Sequence, residues 1–375
     1  MQSGYGMTDL LAVYTPVGGG HKAAALAVCE TARARGLSAD AIDLFELGPR
    51  AFGEAYQAWH LSTTARTPNF YGRAYFGSNS RGGALEPIRL RFDSVIFRKL
   101  LREVASRSPR AIVATHHLPL VVLGRARRKN MLAAPVVGVV TDYTAHAVWA
   151  ERGVDAFCTA GALPTWELET HGISSDRIVR TGIPVRPAFD RIAPVSDPLP
   201  NEPLRVLVTS GGFGVGSVRA IVRSIAQIPN VALTIVCGAS EELRARVRED
   251  VCGQHARVIG FERDMPARVA ESHVVVGKAG GLTVSETLTA GRPMIVVGAI
   301  PGNEKLNEDF VVAGRAGHAC DASAVGALLE SMRRKHEIAA LGARGRSLVL
   351  RDSAARVLAV CGALVDGVAV TVRAA

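Results

Sequence analysis

Aromatic residues make up only 5% of the chain, and no run is both apolar and long enough to cross a bilayer. The most apolar stretch, Val357 to Val372, is broken by Gly362, Asp366 and Gly367 and falls short of the roughly 20 residues of a spanning helix. It reads as a packed C-terminal helix. The six cysteines form no CxxC pair and no zinc-like spacing with histidine, so neither a metal site nor a disulfide framework is expected. Met1 to Asp9 lacks a basic region followed by an apolar core, so secretion is not expected and the chain is placed in a reducing cytoplasm. A Walker A loop is missing, and so is any recognised nucleic-acid-binding module.

What is present is apolar material, 48% of 375 residues, enough for two domains with separate cores. The net charge of +10 calls for an anionic partner. Nucleic acid, anionic lipid headgroups and nucleotide diphosphates all satisfy that demand.

The order of elements repeats. Leu10 to Tyr14 is a short apolar run followed by Gly18-Gly19-Gly20-His21 and an alanine-rich helical stretch, Lys22 to Arg35. Leu204 to Thr209 is again such a run, followed by Gly211-Gly212-Phe213-Gly214-Val215-Gly216 and a helical pattern from Val218 to Ile225. Between them lie Pro184, Pro187, Pro194, Pro198, Pro200 and Pro203, which exclude a helix or central strand. The division expected is residues 1–188 with about 350–375 as one domain, 203–349 as the other, and 189–202 as linker. Continuous β-branched runs at Ala111–Ala114, Val136–Thr141, Leu233–Cys237, Val274–Val276 and Met294–Val297 predict parallel strands buried on both faces. In such α/β sheets ligands sit beyond the carboxyl ends of the strands, where both glycine loops fall, so the interdomain cleft is the expected site.

Glycine lets backbone approach a ligand, and a helix N-terminus offers unpaired N–H groups to phosphate. Gly18 to Ala23 also satisfies a GxGxxA dinucleotide fingerprint, with Asp40 and Asp43 about twenty residues on. That pattern fits an NAD enzyme, and a plain strand-to-helix turn accounts for it equally well. His21 places an imidazole at a helix start, where the neutral base is favoured over the cation. It either accepts a proton there or merely caps and packs.

Three further segments carry more information: Gly260-Phe261-Glu262-Arg263-Asp264-Met265-Pro266, then Gly277-Lys278-Ala279-Gly280-Gly281-Leu282-Thr283-Val284-Ser285-Glu286, then Pro301-Gly302-Asn303-Glu304-Lys305-Leu306-Asn307. Together with Gly18-Gly19-Gly20-His21, the Val139-Val140-Thr141-Asp142-Tyr143 run with His146 and Trp149, and Thr181-Gly182-Ile183-Pro184, they span nearly the whole chain. In these motifs the sequence resembles the monogalactosyldiacylglycerol synthases and processive diacylglycerol glucosyltransferases of glycosyltransferase family 28. The resemblance implies a GT-B fold: two Rossmann-like parallel-sheet domains facing across a cleft, with the C-terminal helix crossing back to the first. It implies an enzyme that moves a hexose from a UDP-sugar to a diacylglycerol-type lipid with inversion, without cofactor or metal.

The resemblance also implies residue roles. Glu286 would grip both ribose hydroxyls, as a carboxylate accepting two O–H bonds does well. Gly280 and Gly281 would let the next helix start close to the diphosphate, with Leu282 and Thr283 beside them. Phe261, Glu262 and Met265 fall where the family reads the uracil edge, and Gly20, Gly211, Gly212 and Phe213 complete the donor contacts. Asn303 and Glu304 match the pair that binds the sugar hydroxyls, with asparagine where glutamine is usual, and Ala279 stands where proline is usual. Those departures leave the sugar open among galactose, glucose and an N-acetylhexosamine. His21 or Asp142 would be the base; a buried carboxylate at 142 could have a raised pKa, or could equally orient His146.

Tyr56, Trp59, Phe70, Tyr71, Tyr75 and Phe76 crowd into about twenty residues of an aromatic-poor chain, interleaved with Arg66, Arg73 and Arg81. Such a segment suits a lipid headgroup layer, and it coincides with the family's variable acceptor loop. Trp59, Phe70, Tyr71, His146 and Trp149 are therefore the expected acceptor contacts. A second basic cluster, Arg125-Ala126-Arg127-Arg128-Lys129, either adds attraction to an anionic leaflet or is a solvated helix end. The expected location is peripheral, on the cytoplasmic face of the cell membrane. Transfer of an N-acetyl sugar to another lipid and UDP-sugar epimerisation on the same fold are the enzymatic alternatives. Nucleic-acid binding is the non-enzymatic one, and no nucleic-acid partner is expected.

Overall fold

The computed structural model describes residues 8–48, 53, 55–56, 68–79, 98–211, 217–251 and 255–368, without the side chains of 68–71 and 74. The chain forms two compact units. One comprises Met1–Pro187 with Asp352–Ala375, the other Ala188–Arg351.

The first unit is built on strands β1 (Leu10–Tyr14), β2 (Ala39–Asp43), β3 (Ala111–Ala114), β4 (Val136–Val139), β5 (Ala156–Thr159) and β6 (Ile178–Arg180), ordered β2-β1-β3-β4-β5-β6 and all parallel. The apolar runs are continuous because both faces are covered. Leu11 and Val13 of β1 join a core with Ile112, Leu120, Leu123 and Phe157. Leu10, Ala12 and Tyr14 join the opposite core with Ala25, Val28 and Cys29 of the Gly20–Ala34 helix. Val357, Leu358 and Cys361 of the C-terminal helix, Ser353–Val365, belong to that second core. Residues 357–365 of the apolar C-terminal stretch thus belong to a helix packed on the first sheet, held also by the Val185 N–H, which donates to Ser353 Oγ at 3.2 Å.

Strands β7 (Leu204–Thr209), β8 (Val231–Val236), β9 (Ala256–Ile259), β10 (Val274–Gly277), β11 (Met294–Val296) and β12 (Gly317–Ala319) form the second sheet, ordered β12-β11-β10-β7-β8-β9 and again all parallel. Both orders reverse direction once, between β1 and β3 in the first sheet and between β7 and β10 in the second. That reversal opens a crevice at the carboxyl ends of the two strands, since the loops that follow them leave in opposite directions.

Residues 190–197 of the proline-dense stretch are strapped onto the second unit. Arg346 donates to the carbonyls of Ile192 and Asp190, and Arg351 to that of Asp190. Asp197 Oδ1 accepts the N–H groups of Ile338 and Ala339, at the start of the Ile338–Leu348 helix. Arg292, 5% exposed, forks to the carbonyls of Ala193, Ala270, Ser272 and Ala290. Burial first, then the Arg205 and Arg346 cations, pull this guanidinium down to about 10.

His273, at the amino end of β10, is buried, and its Nδ1 accepts the Arg205 N–H at 3.0 Å. Burial first, then the Arg205 and Arg292 cations, push it down to about 4, against the opposing pull of Glu202 and Asp197. The folded state therefore resists a proton that the unfolded chain takes up near pH 6.5, so stability is full above that pH and is lost as pH falls toward about 4. Urea titrations are expected to show roughly 2–3 kcal/mol lost over this window through His273 alone. In His273→Gln that part of the pH slope should disappear; an unchanged slope would remove His273 as its source.

Candidate active site

At the reversal of the first sheet the chain leaves β1 through Gly18 and Gly19, both at positive φ (73° and 77°), and enters the Gly20–Ala34 helix. Residues with a Cβ rarely adopt that conformation, so two successive glycines are what this turn requires. His21 follows in the first helical turn. Its Nδ1 lies 2.8 Å from the Thr115 carbonyl, just past β3, and 2.8 Å from Thr141 Oγ1, just past β4. The Thr115 hydroxyl donates back to the His21 carbonyl at 2.8 Å. A carbonyl oxygen only accepts, so Nδ1 carries a proton, and in the neutral ring Nε2 is then the acceptor. Three strand ends thus orient one imidazole.

Two further histidines complete this edge, and the sequence motifs did not reveal them. His116 is buried, its Nδ1 accepts the Leu118 N–H at 3.1 Å, and its ring meets that of His21 edge-on at 4.5 Å. His117 lies against His116 at 4.1 Å and meets Trp149 at 6.3 Å. The Thr-His-His run after a predicted strand was the available signal, but without a spacing rule it points to no particular chemistry.

Asp142 directly follows Thr141 and is half-buried on the same edge. Both ring nitrogens of His146 serve the protein. Nδ1 accepts the Val148 N–H at 3.1 Å and Nε2–H donates to the Tyr75 carbonyl at 2.9 Å. Trp149 is likewise a core residue, 5% exposed. Trp59 lies outside the described residues, as do the side chains of Phe70 and Tyr71, whose backbone belongs to the Pro68–Gly77 helix. The second basic cluster sits at the far end of the His117–Arg128 helix and is partly paired: Arg127 forks onto Asp155, while Arg125 and Arg128 flank Glu151, two carboxylates for the four cations of residues 125–129. The acids of the dinucleotide reading are also engaged elsewhere, Asp40 with Arg107 and Asp43 capping Phe45 N–H.

Most of the expected donor residues fall on the carboxyl edge of the second sheet. Gly211 follows β7, Phe261, Glu262 and Met265 follow β9, Gly280 to Glu286 follow β10, and Asn303 and Glu304 follow β11. Gly212 and Phe213 lie outside the described residues. At the reversal, Gly277 ends β10 against β7 so tightly that a Cβ would stand 2.8 Å from the Thr209 carbonyl oxygen, hence glycine. The Gly281–Thr289 helix buries Gly281, Val284, Ser285, Thr287 and Leu288. Leu282, Thr283 and Glu286 stay partly exposed, and their spacing of three and four residues sets them on one face.

Phe261 is 67% exposed. Glu262 is held by the Asp264 N–H at 2.8 Å and by Arg268 at 3.3 Å, fixing the turn into the Met265–Glu271 helix. The Glu304 carboxylate accepts the Ile300 N–H at 3.0 Å; burial raises its pKa, with Lys278 and that hydrogen bond pulling the other way. Asn307, fully buried, donates from Nδ2 to the Ala279 carbonyl at 2.9 Å, so the Asn303–Ala313 helix braces the glycine loop after β10.

Comparison with known proteins agrees with this geometry. The family model described as monogalactosyldiacylglycerol (MGDG) synthase matches residues 21–185, and that of the glycosyltransferase family 28 C-terminal domain matches residues 205–309. A protein of Oryza sativa subsp. japonica named "Probable monogalactosyldiacylglycerol synthase 2, chloroplastic" is 27% identical over 340 residues, covering 82% of this chain and 70% of that one. The processive diacylglycerol beta-glucosyltransferase of Bacillus subtilis is 27% identical over 217 residues, covering 55% of this chain and 56% of its own, so the match spans about half of that relative. Among solved structures, Acinetobacter baumannii MurG superposes with a TM-score of 0.60 at 18% identity, over 95% of this chain and 99% of that one. The S. aureus MnaA–UDP structure superposes with a TM-score of 0.61 at 12% identity, over 96% and 97%. At such identities the likeness concerns the fold, which is GT-B. Residues 21–185 thus form a domain of the monogalactosyldiacylglycerol synthase type and residues 205–309 a glycosyltransferase family 28 C-terminal domain.

Proposed function

We propose that this glycosyltransferase moves a hexose from a UDP-sugar onto the hydroxyl of a diacylglycerol-type lipid, with inversion, at the surface of a membrane. The observation that carries the proposal is the clamped imidazole of His21, whose Nδ1 is anchored on Thr115 and Thr141 so that Nε2 is the basic atom. In this reading the first unit holds the lipid and the second the nucleotide. Glu286 accepts the two ribose hydroxyls, the turn from Glu262 to Met265 meets the uracil, and Asn303 and Glu304 meet the sugar. The start of the Gly281–Thr289 helix presents N–H groups to the diphosphate, where negative charge grows as the bond to the sugar breaks. Nε2 takes the hydroxyl proton as the lipid oxygen attacks the anomeric carbon from the face opposite UDP. Asp142, half-buried beside Thr141, is the alternative base.

Support for the acceptor class comes from the names of the relatives, a monogalactosyldiacylglycerol synthase and diacylglycerol glucosyltransferases. Support for the nucleotide comes from the clustering of the donor motifs on one sheet edge. Among the described residues no helix is long and apolar enough to cross a membrane, and the reading places the protein peripherally at the cytoplasmic face.

Two substitutions separate binding from chemistry. Glu286→Ala is expected to weaken UDP binding in calorimetry by about 2 kcal/mol or more, since two hydrogen bonds to a charged acceptor vanish. His21→Ala is expected to lower turnover at least about a hundredfold with UDP affinity nearly unchanged. If Asp142→Asn is the crippled variant instead, the base is Asp142. Normal turnover in His21→Ala together with normal UDP binding in Glu286→Ala would refute the whole assignment.

A further inference from the structure

The Ala162–Thr170 helix starts just past β5, on the same edge as His21, and turns two large apolar side chains outward: Leu163 is 44% exposed and Trp166 59%. Its inner side is fastened by Glu167, which accepts the Thr144 hydroxyl at 2.9 Å and the Ala145 N–H. The next two residues of that loop hold a different element. His146 Nε2–H donates to the Tyr75 carbonyl at 2.9 Å, and the Ala147 N–H donates to Asn79 Oδ1 at 2.7 Å, fixing the end of the Pro68–Gly77 helix, whose Phe76 is 55% exposed. Thr144 to Ala147 spans at most about 11 Å of chain. Two outward-facing apolar elements therefore flank one short loop, and the start of that loop, Thr141, bonds His21.

We infer that Leu163 and Trp166 form, with Phe76, one bilayer-inserting rim at this edge, through which the lipid reaches His21; the inference rests on the membrane reading above. Polarity along the helix fits immersion edge-first. Leu163 lies nearest the strand ends and Trp166 one turn further, whereas the first exposed acid, Glu169, is about 9 Å beyond Leu163 along the axis, at headgroup depth or above. Arg73, exposed on the Pro68–Gly77 helix, adds a cation for anionic headgroups. An indole with one apolar and one polar side is suited to that boundary. The occupant is thus the lipid surface itself.

Sedimentation with vesicles of phosphatidylcholine containing a minority of phosphatidylglycerol tests this. Leu163→Ser with Trp166→Ser is expected to weaken vesicle binding at least about tenfold, with transfer to a short-chain, water-soluble acceptor kept within about twofold. Trp166→Phe keeps a ring in place and should bind vesicles, yet lose the part of the tryptophan quenching caused by lipids brominated on their acyl chains. Undiminished vesicle binding by the double variant, with quenching the same in Trp166→Phe as in the parent, would overturn the rim while leaving membrane attachment intact. No vesicle binding by the parent would overturn both. A parent that is dimeric without vesicles, and a double variant that is monomeric, would assign this face to a second copy and overturn the rim.

Discussion

Parallel pairing is the constraint on which everything else in this molecule depends. When every strand of a sheet runs the same way, every loop that follows a strand emerges on one edge, and residues far apart in sequence meet there. His21, Thr115 and Thr141 are separated by 94 and 120 positions, yet they share one hydrogen-bonded cluster. On the second sheet the same rule gathers segments that begin at residues 211, 261, 278 and 303. The reversal in each strand order then decides which part of the edge is open. β1 and β3 open it beside His21, and β7 and β10 beside the Gly281–Thr289 helix.

The scaffold holds its functional loops through buried polar contacts to backbone. Thr115 clasps His21 in both directions, Asn307 supports the Ala279 carbonyl, and Glu262 fixes the turn after β9. Each contact stabilises by only about 1 kcal/mol net, but leaving the buried Asn307 or Thr115 unmet would cost more, so those loops keep one geometry. Arg292 does the same at the opposite edge, where its fork binds the proline-rich strap to the second unit. Such geometry suits a glycosyl transfer, which relies on positioned groups around a developing charge.

Much of the frame was legible in the chain because apolar runs mark doubly buried strands. β1, β3 and β7 stand at the bounds the sequence predicts, and β4, β8, β10 and β11 differ only at their ends. β2, β5, β6, β9 and β12 escaped because they are short, and β2 and β9 also carry polar residues, as Ala39–Asp43 and Ala256–Ile259 show. The glycine loop and His21 could be read because two successive positive-φ residues leave a signature. His116 could not, since its meaning comes from contact with a residue 95 positions away. His146 and Trp149 stand in a motif-like run, yet they are held by neighbours that only the fold supplies, the Tyr75 carbonyl and the first core. The basic run at residues 125–129 left two readings open in the sequence, because the acids that pair its arginines, Glu151 and Asp155, lie more than twenty positions on.

The stereochemistry of the product tests the proposed reaction most directly. The purified protein would be incubated with a UDP-hexose, α-linked at its anomeric carbon, and with diacylglycerol dispersed in vesicles, and the glycolipid formed would be analysed by proton magnetic resonance. A base at His21 working opposite the departing UDP predicts a β-linked hexose on the lipid hydroxyl. An α-linked product, or a UDP-sugar epimerised with no lipid glycosylated, would contradict it.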